Sequence, residues 1–166
     1  MPQFPSGTLK PLADVAHDAG LLFGTYTCRG KLTCANRPGS LGFEKIDAET
    51  YASWGVDLLK MDSCYAADGD WQDHDGALQS CTVMRDALNS TNRKIFFAVC
   101  GWFPWYAEFS QPIGNSWRTG LDNSNWADVL SNIDTDANLA EYVLATSKQP
   151  FISRADGWPT AGVGHL

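Results

Sequence analysis

The sequence predicts an α/β domain with a mainly parallel sheet, and three observations carry that prediction. Short apolar runs of strand length recur near residues 22, 57, 96, 117 and 151. Amphipathic stretches of helix length stand between them, the pattern of right-handed βαβ crossovers. Two of the runs also lead into carboxylates, Asp62 and Asp122, and in parallel α/β folds catalytic groups collect at the C-terminal ends of strands.

In chain order, residues 8–20 carry Leu9, Leu12, Ala13 and Ala16 on one helical stripe, with Pro11 near the start and Gly20 at the end. Leu21 to Tyr26 is a continuous apolar run, expected to be a strand buried on both faces. Residues 27–43, with two Cys and three basic residues, form an irregular loop behind a strand, a usual place for function. Residues 47–54 are expected to be a short helix with Asp47 as N-cap and Gly55 at its end. The central strand follows and ends on Asp62. Side chains alternate along it, so Lys60 and Asp62 share one side and Leu59 and Met61 the other, which builds an ion pair into the strand end.

Asp68, Asp70, Asp73 and Asp75 lack the Gly and Glu of a calcium loop, so they read as a solvated loop and helix start, and no metal site is expected. Residues 76–90 form a helix with Leu78, Cys81, Val83 or Met84, and Leu88 on one side. Ile95 to Cys100 is the third strand. It runs into Gly101-Trp102-Phe103-Pro104-Trp105-Tyr106, aromatics in a turn that suit stacking on a sugar ring. Ser116 to Thr119 is the fourth strand, with Arg118 close to Asp122. Residues 126–132 and 137–146 read as helices with Leu130, Ile133, Leu139, Val143 and Leu144 on their apolar faces, and 151–153 as a fifth strand. Residues 1–154 thus read as the domain and 155–166 as an unassigned irregular tail. Two closures compete: an open flavodoxin-like sheet, which fits the length, and an eightfold barrel, which takes about 250 residues.

Composition narrows the partner. The chain is 44% apolar with seven Trp and eight Phe, which excludes disorder. A net charge of -7 without a basic stripe argues against nucleic acid and anionic membranes, leaving a small neutral partner. No apolar run is long enough for a membrane span, and Met1 to Pro5 has no leader character. Five Cys and the sequon Asn89-Ser90-Thr91 suit a secreted chain, so a leader is expected upstream.

Several segments carry a family resemblance: Gly24-Thr25-Tyr26, Thr33-Cys34-Ala35, Pro38-Gly39-Ser40-Leu41-Gly42, the run from Tyr51 to Asp62 with Cys64, and Asn115-Ser116-Trp117-Arg118-Thr119 with Asp122. Together they resemble the alpha-galactosidases (melibiases) of glycoside hydrolase family 27. The resemblance covers residues 1 to about 148. It implies a partial (β/α)8 barrel, roughly strands three to seven with their helices, so the chain is expected to be a fragment of the catalytic domain.

By similarity, Asp62 matches the nucleophile and Asp122 the proton donor of a retaining exo-glycosidase that removes terminal alpha-linked galactose. Tyr26, Cys34, Lys60, Cys64 and Arg118 match positions that shape the galactose pocket. Cys34 and Cys64 match a disulfide beside it, and Asn89 matches a glycosylated position. Trp102 is added as a substrate contact from the aromatic turn. The chemistry agrees with the residue types: cations at Lys60 and Arg118 favour ionised carboxylates, and Asp122, if less solvated, holds its proton. No cofactor is implied, and the compartment is secreted or lysosomal/vacuolar. Alternatives within the family are α-N-acetylgalactosaminidase and β-L-arabinopyranosidase; outside it, a non-catalytic sugar-binding remnant. Gly101 stands where many relatives have an acidic or amide residue, which leaves room for a bulkier group at the sugar's second position. Gly114 stands where some relatives have the partner of Cys100, so Cys28, Cys81 and Cys100 are left without assigned partners. Oligomeric state is not legible in the sequence.

Overall fold

Four parallel strands lie side by side in the order in which the chain makes them: β1 (Gly24–Cys28), β2 (Leu58–Asp62), β3 (Phe96–Val99) and β4 (Ser116–Trp117). The computed structural model describes residues 7–66, 72–139 and 142. An open doubly wound sheet contains a reversal of strand order; among the described strands there is none, and a monotonic order is the arc of a barrel. The open sheet that length favours is therefore not what these strands form. The expected strand at 151–153 and the boundary at 154 lie outside the described residues.

The register carries the architecture to the site. Tyr26 pairs with Lys60, Lys60 with Ala98, and Ala98 with Ser116, one row across the sheet. Leu59 and Met61 point the other way and are fully buried, as the alternation requires. They join Val99 and Phe97 in a core closed from outside by the helices α2 (Glu44–Trp54) and α3 (His74–Ser90).

Each helix has a local cause. α1 (Lys10–Asp18) has Pro11 in its first turn and is stopped by Gly20 at φ +73°. α2 begins at Glu44, three residues before the expected cap; Asp47 lies in its first turn with Glu44, where both carboxylates favour the helix dipole. Gly55 ends α2 at φ +80°. α3 is capped by Asp73, which accepts from the Gly76 amide at 3.0 Å. Its buried face is Ala77, Cys81, Met84 and Leu88, so Cys81, Leu88 and, of the two alternatives, Met84 face inward as expected, whereas Leu78 turns outward and Ala77 takes its place. A short α4 (Tyr106–Ser110) follows β3.

α5 (Trp126–Asn138) is closed by a capping box between Asn125 and Asp128 and runs through the expected break at 133–136. None of its residues is buried, and the expected face of Leu130 and Ile133 is exposed. β1 likewise starts later than its apolar run. Leu21 and Leu22 are exposed, and only Thr27 and Cys28 of the strand are buried, because no described strand pairs with its other edge.

Below the sheet, at the N-terminal end of β2, Asp57 accepts from the Phe23 amide at 2.8 Å and from Arg93 at 2.7 Å, and lies 2.7 Å from His17 Nε2. This cluster ties α1, β1 and the turn before β3 at the end opposite the C-terminal rim of the sheet.

Candidate active site

Asp62 is the last residue of β2, and it is 6% exposed. Its Oδ1 accepts from the Ser63 amide at 2.9 Å and its Oδ2 from the Tyr26 hydroxyl at 3.1 Å. Lys60, two residues back on the same side of the strand, brings Nζ to 3.8 Å from Oδ2 and sits over the Tyr26 ring, 5.6 Å from its centroid. The built-in ion pair expected from strand alternation is present. Burial, then the charge of Asp62, pushes the Tyr26 phenol well above its ordinary value, so it stays protonated and donates. The same hydroxyl lies 3.1 Å from Cys34 Sγ. With one proton to give, the charged oxygen is the better acceptor.

Cys34 and Cys64 form a disulfide with a Cα–Cα separation of 5.2 Å, the pairing that the family resemblance implied. It fastens the β1–α2 loop to the residues after β2, and the Lys31 amide repeats the tie by donating to the Tyr65 carbonyl at 3.1 Å. The two loops also approach so closely at Gly30 that a Cβ there would stand 1.8 Å from the Tyr65 carbonyl oxygen. Glycine is therefore required at that crossing. Cys34, Asp62 and Cys64 have their ligand atoms within 4.8 Å of one another, but the two sulfurs are bonded together and offer no thiolate to a metal.

Asp122 lies beyond the end of β4, at the same C-terminal end of the sheet. Arg118 brings Nη1 to 2.5 Å from its Oδ1 and donates through Nε to the Gly120 carbonyl at 2.7 Å. The low solvation expected of a proton-holding carboxyl is not found, for the Asp122 side chain is 88% exposed. Lys60, Ala98, Cys100, Arg118, Leu121 and Asp122 line a cleft of about 510 Å³ together with Asn123. The cleft therefore joins Asp122 and Arg118 to Lys60, the partner of Asp62.

Trp102 takes φ +67° and is half-buried. It lines an adjoining cleft of about 600 Å³ that shares Leu121 and Asp122 with the first. Phe103 lines the same cleft, and the other turn aromatics pack among themselves. Phe103 and Trp105 stack at 5.6 Å, Trp105 and Tyr106 at 4.3 Å, and His74 packs against Trp105 at 4.9 Å. Tyr106 is fully buried, and its ring fills the space beside Gly101, where a Cβ would come within 1.7 Å. The room expected at Gly101 is thus taken by Tyr106.

Cys28, Cys81 and Cys100 are free and buried. Burial pushes Cys28 up to about 11, Cys81 to about 12, and Cys100, aided by the charge of Asp62, to about 12, so these thiols stay protonated. Asn89 is exposed in the last turn of α3, while the Thr91 hydroxyl of its sequon donates to the Leu88 carbonyl at 2.8 Å. Sequence reasoning missed Cys100, Leu121 and Asn123 as cleft residues and Ser63 as the amide that holds Asp62. Strand alternation places Cys100 two residues beyond Ala98 on one face; no comparable signal marks Ser63.

A parallel sheet in barrel order, with carboxylates and cations gathered at its C-terminal rim, defines the class as a (β/α) barrel. The family model described as "Alpha galactosidase A" matches residues 1–161, and the chain belongs to that family, the melibiases. It is 42% identical over 154 residues to "Alpha-galactosidase A" of Cellvibrio japonicus, covering 84% of this chain and 36% of that one. Among solved structures it resembles alpha-galactosidase I from Mortierella vinacea, with TM-score 0.71 and 31% identity over 81% of this chain and 39% of that one. It also resembles the alpha-galactosidase from Saccharomyces cerevisiae with raffinose, with TM-score 0.73 and 27% identity over 86% of this chain and 36% of that one. The chain spans about a third of the length of the curated relatives it matches.

Proposed function

We propose that the protein works as a retaining exo-glycosidase that hydrolyses terminal alpha-linked galactose from oligosaccharides, glycolipids or glycoproteins, within a catalytic domain that includes residues 1–154. Asp62 is the nucleophile and Asp122 the general acid and base. The observation that carries the reading is the setting of Asp62. It is a buried carboxylate at a strand end, approached by a lysine and held by two hydrogen-bond donors, so it is aimed for attack on an anomeric carbon.

Asp122, carried on the loop after β4 and lining the cleft that Lys60 also lines, is read as the group that gives a proton to the leaving oxygen and then takes one from water. In this reading Lys60, Arg118 and Tyr26 offer donors to the sugar, Cys34 and Cys64 shape its pocket as the disulfide beside Tyr26, and Trp102, on the cleft that shares Asp122, is a further substrate contact. The disulfide also supports a secreted or lysosomal/vacuolar location, and Asn89 is the proposed glycan attachment point.

The test is hydrolysis of an aryl α-galactoside by the protein expressed from its complete coding sequence, followed by NMR of the first-formed sugar. Release of α-galactose supports the proposal. First-formed β-galactose, or no turnover, refutes it.

A further inference from the structure

The residue after the proposed nucleophile is held by an unusual arrangement. Ser63 is 1% exposed, and its hydroxyl has three neighbours: Arg29 Nε at 3.1 Å, the Tyr106 hydroxyl at 2.8 Å and the Cys100 carbonyl oxygen at 2.9 Å. Counting protons fixes the direction of each bond. A hydroxyl has one proton and two acceptor sites, a carbonyl only accepts, and a guanidinium only donates. Ser63 therefore donates to Cys100, Arg29 donates to Ser63, and the remaining lone pair receives the Tyr106 proton. Every capacity of the Ser63 hydroxyl is used.

This one oxygen joins the ends of three neighbouring strands, because Arg29 follows β1, Ser63 follows β2 and Cys100 follows β3. The tie reaches Asp62 by two routes. The Ser63 amide holds Asp62 Oδ1 at 2.9 Å, and the Arg29 amide donates to the Asp62 carbonyl at 2.8 Å. Arg29 is itself 4% exposed, and its Nη2 is buried without a hydrogen-bond partner. A buried cation left partly unpaired costs stability and calls for a reason. Orienting a catalytic carboxylate is such a reason, because a displacement of about 1 Å there is worth about 100-fold in rate.

We propose that Arg29 and Tyr106, acting through Ser63, are positioning residues that set the plane of the Asp62 carboxylate for attack. The inference rests on the reading of Asp62 as nucleophile. Ser63→Ala deletes the shared oxygen; Tyr106→Phe deletes one bond to it and keeps the ring that fills the space beside Gly101.

Both variants are compared with wild type, expressed from the complete coding sequence, for kcat on an aryl α-galactoside, inhibition by free galactose, and thermal midpoint. Ser63→Ala is expected to lose roughly 10- to 100-fold in kcat. Tyr106→Phe is expected to lose less, with the galactose inhibition constant unchanged in both. If Ser63→Ala does not fold, Tyr106→Phe decides alone. An unchanged kcat in the folded variant overturns the proposal, as does a fall in kcat matched by an equal loss of galactose affinity, which marks a general collapse of the rim. A wild type without α-galactosidase activity removes the underlying reading, and this inference with it.

Discussion

Replacing Asp57 tests the account of the barrel floor. In Asp57→Ala the Phe23 amide loses its acceptor, His17 loses its partner at 2.7 Å, and Arg93 loses a contact at 2.7 Å. Arg93 keeps its bonds to the Val56 and Gly55 carbonyls, both at 2.8 Å, so it is not left bare. His17 and Arg93 are each about a third exposed, and solvent screens their share. One lost amide bond at about 1 kcal/mol and two screened contacts of similar size or less give a destabilisation of about 2–3 kcal/mol. For a domain of this size that lowers the thermal midpoint by roughly 5–10 °C.

The pH dependence has a definite sign. Burial raises the Asp57 carboxyl, but the Phe23 amide, His17 and Arg93 outweigh it and hold the group below its ordinary 3.8. A depressed carboxylate stabilises the fold above its unfolded value, and that contribution is lost as pH falls through the folded value. Calorimetry of wild type and Asp57→Ala should therefore show the full gap in midpoint above about pH 5, and a closing gap below about pH 4. An equal gap at every pH, or none, would refute the argument.

Two further outcomes follow from the loops of the rim. Cys64→Ala opens a disulfide that spans 30 residues and should cost about 3–4 kcal/mol by loop-closure entropy, read as a lower midpoint in denaturant. A variant as stable as wild type would contradict the tie between the two loops. Gly101→Ala places a methyl carbon 1.7 Å from the Tyr106 ring and should destabilise by at least about 1–3 kcal/mol in a thermal melt. A neutral result would mean that the ring does not occupy that space.

Much of the frame was legible because it depends on short-range periodicity. The alternation from Leu58 to Asp62 correctly separates Leu59 and Met61 from Lys60 and Asp62, and Gly55 ends α2 as its position implies. Failures occurred where long-range packing decides. Nothing local distinguishes Leu78 from Ala77 as the inward residue of α3, since the choice depends on how the helix is rolled against the sheet. Tyr106 looked like part of an exposed aromatic turn, yet it is buried, and Trp105 packs between it, Phe103 and the distant His74. Arg29 and Ser63 meet only because β1 and β2 are neighbours in register, which the sequence of neither strand reveals. The order of the strands was likewise beyond composition and length; the family motifs implied a barrel, and the sheet has barrel order.

The central claim is that Asp62 attacks the sugar and Asp122 does not. The protein, expressed from its complete coding sequence, is incubated with a 2-deoxy-2-fluoro galactosyl probe that forms the covalent intermediate and slows its hydrolysis. Peptic peptides are then sequenced by mass spectrometry. The account predicts the added sugar on the peptide Leu58-Leu59-Lys60-Met61-Asp62, with the fragment ions placing it on Asp62. A label on Asp122 instead would contradict the assignment of the two carboxylates.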